Sequence, residues 1–193
     1  MTRALFIVDV QNDFTEGGAL GVAGGDAVAA GITAHLTEHA GEYAVIVASR
    51  DWHDADSDNG GHIALEGPPD FVDTWPVHCV AGTTGAEYDP GLDTSAVTVH
   101  VKKGQGKPAY SLYEGATDDG ETVAALLAAH GVTEVDVTGI ATDHCVRASA
   151  LDAIEHGIHV RVLTGLVAGV APEASDAALA ELAHAGAELV GAA

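Results

Sequence analysis

The stretch VTGIATDHCVRAS, residues 137–149, passes from a β-branched apolar run through a turn of small residues into a segment of helical character. It carries one of the chain's two cysteines, Cys145, at the join. A strand, a short turn and a helix are the repeating unit of α/β folds. A thiol at a helix start meets unpaired backbone N–H groups and the positive end of the helix dipole, and both favour the thiolate. The opposing reading makes Cys145 a small buried hydrophobe, the usual fate of a free cysteine. The choice between them depends on what the rest of the chain brings to the same place.

The same unit recurs along the chain. Apolar, β-branched runs begin at Ala4 (ALFIVDV), Tyr43 (YAVIVASRD), Val97 (VTVHVK) and Glu134 (EVDVTGI), followed by HVRVLTG from His159 and a short ELVGA from Glu188. Helical spacing separates most of them. Asp26 precedes Val28, Ile32 and Leu36, and Gly41 ends that segment; Val123, Leu126 and Leu127 stop at Gly131; Val146, Ala150 and Ile154 stop at Gly157. Pro172 opens a segment carrying Leu179 and Leu182 that stops at Gly186. Strands that read apolar throughout, alternating with helices, predict a mainly parallel central sheet with helices on both faces, a three-layer α/β sandwich. At 193 residues a single domain over 1–193 is expected. An irregular stretch at about 52–93, rich in Gly, Asp, Pro and His, interrupts it, and loops of that length in a compact domain are usually functional.

Composition excludes several function classes. Hydrophobic residues at 47% argue against disorder, and no apolar run approaches the ~18 residues of a membrane span. The 29 acids against 7 Lys+Arg give a formal net charge of -22, which repels nucleic acid and anionic membranes and suits a high-salt environment. Two cysteines make no disulfide framework, and MTRALFIVDVQNDF reads as a first strand rather than a signal peptide, so a reducing, cytoplasmic setting is expected. All three lysines, Lys102, Lys103 and Lys107, fall within the hexapeptide KKGQGK and require a local reason.

Ligands of open parallel sheets bind outside the carboxyl ends of the strands. There the first strand delivers Asp9, the second Asp51, the third Lys102 and Lys103, and the fourth leads to Cys145. If Asp9, Lys103 and Cys145 converge, the ammonium supports the thiolate and the carboxylate accepts and returns a proton. His144 is adjacent, but neighbouring helical residues point in different directions. A second cluster lies in DWHDADSDNGGH (51–62) and WPVHC (75–79). Asp51 and His53 share one side of an extended chain, and His62 and His78 follow. Two imidazoles and a carboxylate suit one divalent transition metal, zinc first, iron or manganese as alternatives. Asp54, Asp56 and Asp58 lack the glycine and closing glutamate of a calcium loop.

In this order, FIVDVQNDF, SRDWH, WPVHC, VKKGQGKPAYSLYEG and GIATDHCVRAS resemble the nicotinamidases of the isochorismatase-like cysteine hydrolases. The resemblance implies hydrolysis of nicotinamide to nicotinate and ammonia through a cysteine thioester. It implies Asp9, Lys103 and Cys145 as the triad, Asp51, His53 and His78 as metal ligands, and His62 where some members supply a further one. It also implies a cis peptide at Ile140–Ala141 that aims the Ala141 N–H, with that of Cys145, at an oxyanion. Phe14, Trp75 and Tyr110 match ring-pocket positions. Leu112 and Tyr113 depart from the usual pattern, where a smaller residue and Phe are common, and that puts the pocket's size in question. One rival is an amidohydrolase of the same family acting on a carbamoyl or carboxylate-bearing amide, for which Lys102, Lys107, Arg50 and Arg147 are the available cations. Another is a metal-binding or redox-sensing thiol module. The sequence leaves a homo-oligomer open.

Overall fold

Residues of the first strand, β1 (Arg3–Val8), bury alternately on two faces: Ala4, Phe6 and Val8 join one apolar cluster, Leu5 and Ile7 another. A strand buried on both sides belongs at the centre of a sheet. In the computed structural model, which describes residues 1–191, β1 lies between β2 (Val45–Asp51) and β4 (Glu134–Ile140). The sheet continues to β3 (Val99–Lys103) on one side and to β5 (His159–Ala168) and β6 (Glu188–Val190) on the other, giving the order β3-β2-β1-β4-β5-β6. All five pairings are parallel, so the sheet is wholly rather than mainly parallel. Ala192, the last residue of the ELVGA stretch, lies outside the described residues.

Helix α1 (Gly25–His39) packs Val28, Ile32 and Leu36 against the face of Leu5 and Ile7. Helices α2 (Val123–Ala129), α3 (Arg147–Glu155) and α4 (Pro172–Ala185) supply Leu126, Ala150 and Leu182 to the opposite face. The chain moves outward from β1 through β2 to β3, then crosses back to β4 on the other side of β1. The order therefore reverses between β1 and β4, and their carboxyl ends open the crevice where doubly wound sheets bind ligands. The 52–93 stretch covers this edge. Isolated bridges, His53 with Val80, Ile63 with Trp75 and Gln11 with Tyr88, tie it down in place of longer strands.

Charge is buried at the amino-terminal half of the sheet as well. Asp136, paired in register with Leu5, accepts a 2.8 Å hydrogen bond from the Tyr43 hydroxyl and faces Arg161 at 3.3 Å. Burial and this carboxylate keep the Tyr43 phenol protonated far above the usual range. Asp136→Ala leaves the half-buried Tyr43 hydroxyl without its acceptor and Arg161 without its nearest carboxylate. It is expected to cost about 2–3 kcal/mol, the scale of a hydrogen bond to a charged group. A urea titration should show a lower midpoint at an unchanged slope.

Candidate active site

A charged residue stands at or just past the carboxyl end of each of β1, β2 and β3, and these side chains meet. Asp9 stands just past β1 at φ 47, and Ser49 holds it by donating its hydroxyl to Asp9 Oδ1 at 2.7 Å. Lys103 Nζ, fully buried, sits 2.9 Å from Asp9 Oδ2, donates to Asp51 Oδ1 and to the carbonyl of Ala109 at 3.3 Å, and lies 3.6 Å from Cys145 Sγ. A carboxylate oxygen carries two lone pairs, so the ion pair with Lys103 leaves Asp9 Oδ2 able to accept a further proton. Asp9, Lys103 and Cys145 thus come together as the sequence predicts. Burial opposes the Lys103 ammonium, but the carboxylates of Asp51 and Asp9 outweigh it and hold the group firmly protonated.

The cysteine itself departs from expectation in two ways. It lies inside a single π-type turn, Thr142–Val146, that precedes α3, rather than at the first turn of the helix. Burial then pushes its thiol well above the ordinary range; Lys103 works against this, while Asp9 and Asp51 reinforce it. One ammonium beside two carboxylates does not favour a third negative charge, so Cys145 rests as a thiol. Burial raises the Asp9 carboxyl too, despite Lys103, which brings its affinity for a proton closer to that needed of an acceptor. The peptide between Ile140 and Ala141 is cis, as the family pattern implies.

Asp51 faces two ways. Oδ1 takes the Lys103 hydrogen bond, and Oδ2 lies 3.8 Å from His53 Nε2 and 3.9 Å from His78 Nε2. Its backbone is clamped by a residue that sequence reasoning passed over. Gln11 accepts from Asp51 N–H at 2.8 Å and donates to its carbonyl at 2.9 Å. His53 and His78 direct Nδ1 at the carbonyls of Gly104 (2.9 Å) and Pro76 (2.8 Å), so both present Nε2 inward, 3.2 Å apart. Gly104 cannot be replaced here. It has φ +80, and a Cβ would fall 2.6 Å from the His53 ring. Backbone bonds between residues 62–64 and Trp75 bring His62 to the same place, its ring centre 5.0 Å from that of His53 and its buried Nδ1 without a partner.

These residues fit a metal ion. Burial, followed by the neighbouring imidazoles, lowers the His62 pKa to about 4, and burial lowers that of His78, so both are neutral near pH 7 and offer lone pairs. Nitrogens of His53, His62 and His78 lie within 4.8 Å of one another. Two inward lone pairs at 3.2 Å repel unless a cation lies between them, and donors about 2.1 Å from a tetrahedral ion stand about 3.4 Å apart. Carbonyl anchors on the outer ring nitrogens are the usual support of metal-binding histidines.

Cys145, Ala141, Asp51, His62 and His78 line the inner part of a cavity of about 250 Å³. Its walls include Phe14, Trp75 and Tyr110, and the Trp75 indole N–H donates to the Tyr110 hydroxyl at 3.0 Å. Leu112 and Tyr113 do not reach it. Leu112 is in the sheet core and Tyr113 packs edge-on to Phe6, so the departure from family pattern at these positions does not alter the cavity lining. His144 does line it, edge-on to Trp75 with ring centres 5.2 Å apart, although neighbouring residues on a regular helix would diverge. Among the described residues no lysine or arginine lines the cavity.

The family model described as the isochorismatase domain matches residues 3–193. The chain belongs to the isochorismatase family. Nicotinamidase/pyrazinamidase of Mycobacterium tuberculosis is 50% identical, with 97% of this chain and 98% of that protein covered. Nicotinamidase of Escherichia coli is 36% identical over 97% of this chain and 93% of that one. Among solved structures, pyrazinamidase of Pyrococcus horikoshii in complex with zinc aligns at TM-score 0.83 and 38% identity, covering 100% of both chains. PnC1 from L. infantum in complex with nicotinate aligns at TM-score 0.84 and 36% identity, covering 98% of this chain and 92% of that one.

This isochorismatase-family chain is expected to bind one divalent ion. In competition with a chromogenic chelator, His78→Ala should weaken zinc binding by at least about tenfold, a loss that even an outer-sphere partner can produce. Circular dichroism should remain unchanged.

Proposed function

We propose that the chain hydrolyses nicotinamide to nicotinate and ammonia, the chemistry that salvages pyridine nucleotides. The observation that carries this reading is the meeting of Cys145, Asp9 and Lys103 at the inner end of an aromatic cavity that also contains an imidazole and carboxylate set. The relatives named nicotinamidase support it. Asp51, His53, His78 and His62 would hold one divalent ion, zinc by donor type, which would supply a Lewis-acid contact for a lone pair of the substrate or of water.

The protein's own groups carry the rest. Phe14, Trp75 and Tyr110 flank the ring and present the carboxamide carbon to Cys145. The Cys145 proton passes to the free lone pair of Asp9 as the sulfur bonds to that carbon. Until that bond is complete, negative charge developing on the sulfur is balanced by the Lys103 ammonium 3.6 Å away; the charge then passes to the carbonyl oxygen. The N–H groups of Ala141 and Cys145 receive the oxyanion, and losing one such donor typically costs about 3 kcal/mol of barrier. Asp9 returns its proton to nitrogen as the C–N bond breaks and ammonia leaves. Water then adds to the thioester carbon, Asp9 taking one of its protons and passing it to sulfur as the C–S bond breaks, and nicotinate leaves with the other proton lost to solvent.

Two rivals are disfavoured by particular contacts. An amide bearing a carboxylate requires a free cation at the cavity. Arg50 is paired with Glu87, Lys102 with Asp118 and Arg147 with Glu181, and Lys107 is exposed away from the lining. A redox-sensing thiol works as an accessible thiolate, whereas Cys145 is buried and protonated. One chain supplies every proposed site residue, so a homo-oligomer is not needed for the chemistry. Residues 1–193 act as one domain, and two free, buried cysteines suit a reducing cytoplasm.

Cys145→Ala is expected to abolish ammonia release from nicotinamide while preserving the unfolding midpoint. Removal of the metal, verified by elemental analysis, should abolish it reversibly. In a panel of amides at equal concentration, neutral aromatic carboxamides should exceed maleamate by at least about a hundredfold, because an unpaired charge in the cavity is costly. Equal turnover of the two classes would refute the assignment of substrate.

A further inference from the structure

Resting on the nicotinamide reading, we infer that Phe71 and Val170 form a rigid apolar rim that selects substrates by the ring edge opposite the carboxamide, and that Asp70 and Asp143 are the residues that position it. Both side chains line the cavity, yet Phe71 is 58% and Val170 56% exposed. In a chain of net charge -22, two large apolar groups left in water at a cavity mouth call for a reason. Contact with a ligand ring supplies one.

Neither residue sits on a loose lid. Asp70 Oδ1 accepts the N–H groups of Val72, Asp73 and Thr74, each at 2.9 Å. The Asp70 N–H donates to Thr74 Oγ1 and the Phe71 N–H to the Thr74 carbonyl, both at 3.0 Å. This knot holds Phe71 in the left-handed region, φ 58, with its ring edge-on to Trp75 at 6.2 Å. Across the mouth, Asp143 accepts the N–H of Val170 at 3.0 Å and of Ala171 at 3.1 Å. Asp143 belongs to the turn that carries Cys145. A single carboxylate therefore fixes the distance between the nucleophile and one side of the rim.

The geometry sets what each edge of the ring meets. With the carboxamide at Cys145 and Ala141 and one edge toward His62 and His78, the remaining edge lies between Phe71 and Val170. A flat, unsubstituted ring fits under this rim, and a substituent on the distal ring carbons collides with it. Asp70 does not line the cavity, so its effect on selection passes through Phe71.

The test compares kcat/KM for nicotinamides methylated at the distal ring carbons with kcat/KM for nicotinamide itself. Phe71→Ala and Val170→Ala should each raise this ratio by about tenfold, the low end for one methylene in an apolar pocket. Asp70→Ala should raise it similarly, and Asp70→Asn, whose amide oxygen still accepts hydrogen bonds, should keep the parent ratio. A merely structural Asp70 would lower both substrates together and leave the ratio alone. Thermal midpoints of all variants identify any that fail to fold; Phe71 and Val170 are exposed, so their variants preserve the core. Ratios within twofold of the parent in both rim variants overturn the rim, and a parent-like ratio in Asp70→Ala overturns the positioning role. If the parent chain does not hydrolyse nicotinamide, the functional reading falls and the rim with it, a result distinct from either.

Discussion

A lysine ammonium removed from water is tolerated only where anions replace its hydration, and at Lys103 the anions come from two other strands. Asp9 is delivered by β1 and Asp51 by β2, while the thiol of Cys145 arrives from the turn after β4. None of the three is stable there alone. Removing the lysine would leave two buried carboxylates in contact, and removing either carboxylate would leave a buried charge half compensated, a change that typically costs several kcal/mol. The parallel register makes this meeting geometrically possible, since Asp51 and Lys103 are direct partners across β2 and β3. The sheet's topology and the chemistry at its edge are thus one constraint.

Much of this was legible in the residues, for physical reasons. Strands buried on both faces read as continuous apolar runs, and a sheet of such strands collects whatever follows their carboxyl ends at one edge. The scarcity of lysine made KKGQGK conspicuous, and the family resemblance pointed to Lys103 within it. Less legible was anything that depends on depth. The proximity of an ammonium and a helix suggested a thiolate, but burial and two nearby carboxylates reverse that balance, and neither is visible in a linear sequence. Gln11 looked like an ordinary polar residue after a strand, although its side chain holds Asp51 by both backbone groups. His144 was set aside on the assumption of regular helical spacing, and the π-type turn removes that assumption. Leu112 and Tyr113 drew attention as departures from family pattern, but nothing in the sequence says that they point into the core.

The charge distribution follows the same logic. Of the 7 Lys+Arg side chains, six lie within 4.0 Å of a carboxylate, leaving only Lys107 among the described residues without one. With so few cations, six of the seven are committed to acids, Lys103 to buried ones and Lys102 and Arg147 to exposed ones. None lines the cavity to greet a carboxylate, so the carboxylate product of the proposed reaction would find no fixed lysine or arginine partner there. An acidic surface outside and no free cation within both disfavour retention of an anion.

Asp51 joins the two halves of the site, and this sharing shapes the resting state of the thiol. One of its oxygens neutralises Lys103, and the other faces the imidazole pair. A divalent cation held by the imidazole cluster would add positive charge beside this carboxylate. Lys103 would then be freer to balance negative charge on the sulfur 3.6 Å away. The thiol raised by burial and by two carboxylates that share one ammonium is thus the form proper to the chain by itself, and the same side chains would favour the thiolate more with the imidazole cluster filled. Through this one carboxylate, occupation of the metal centre and readiness of the nucleophile become parts of a single electrostatic balance.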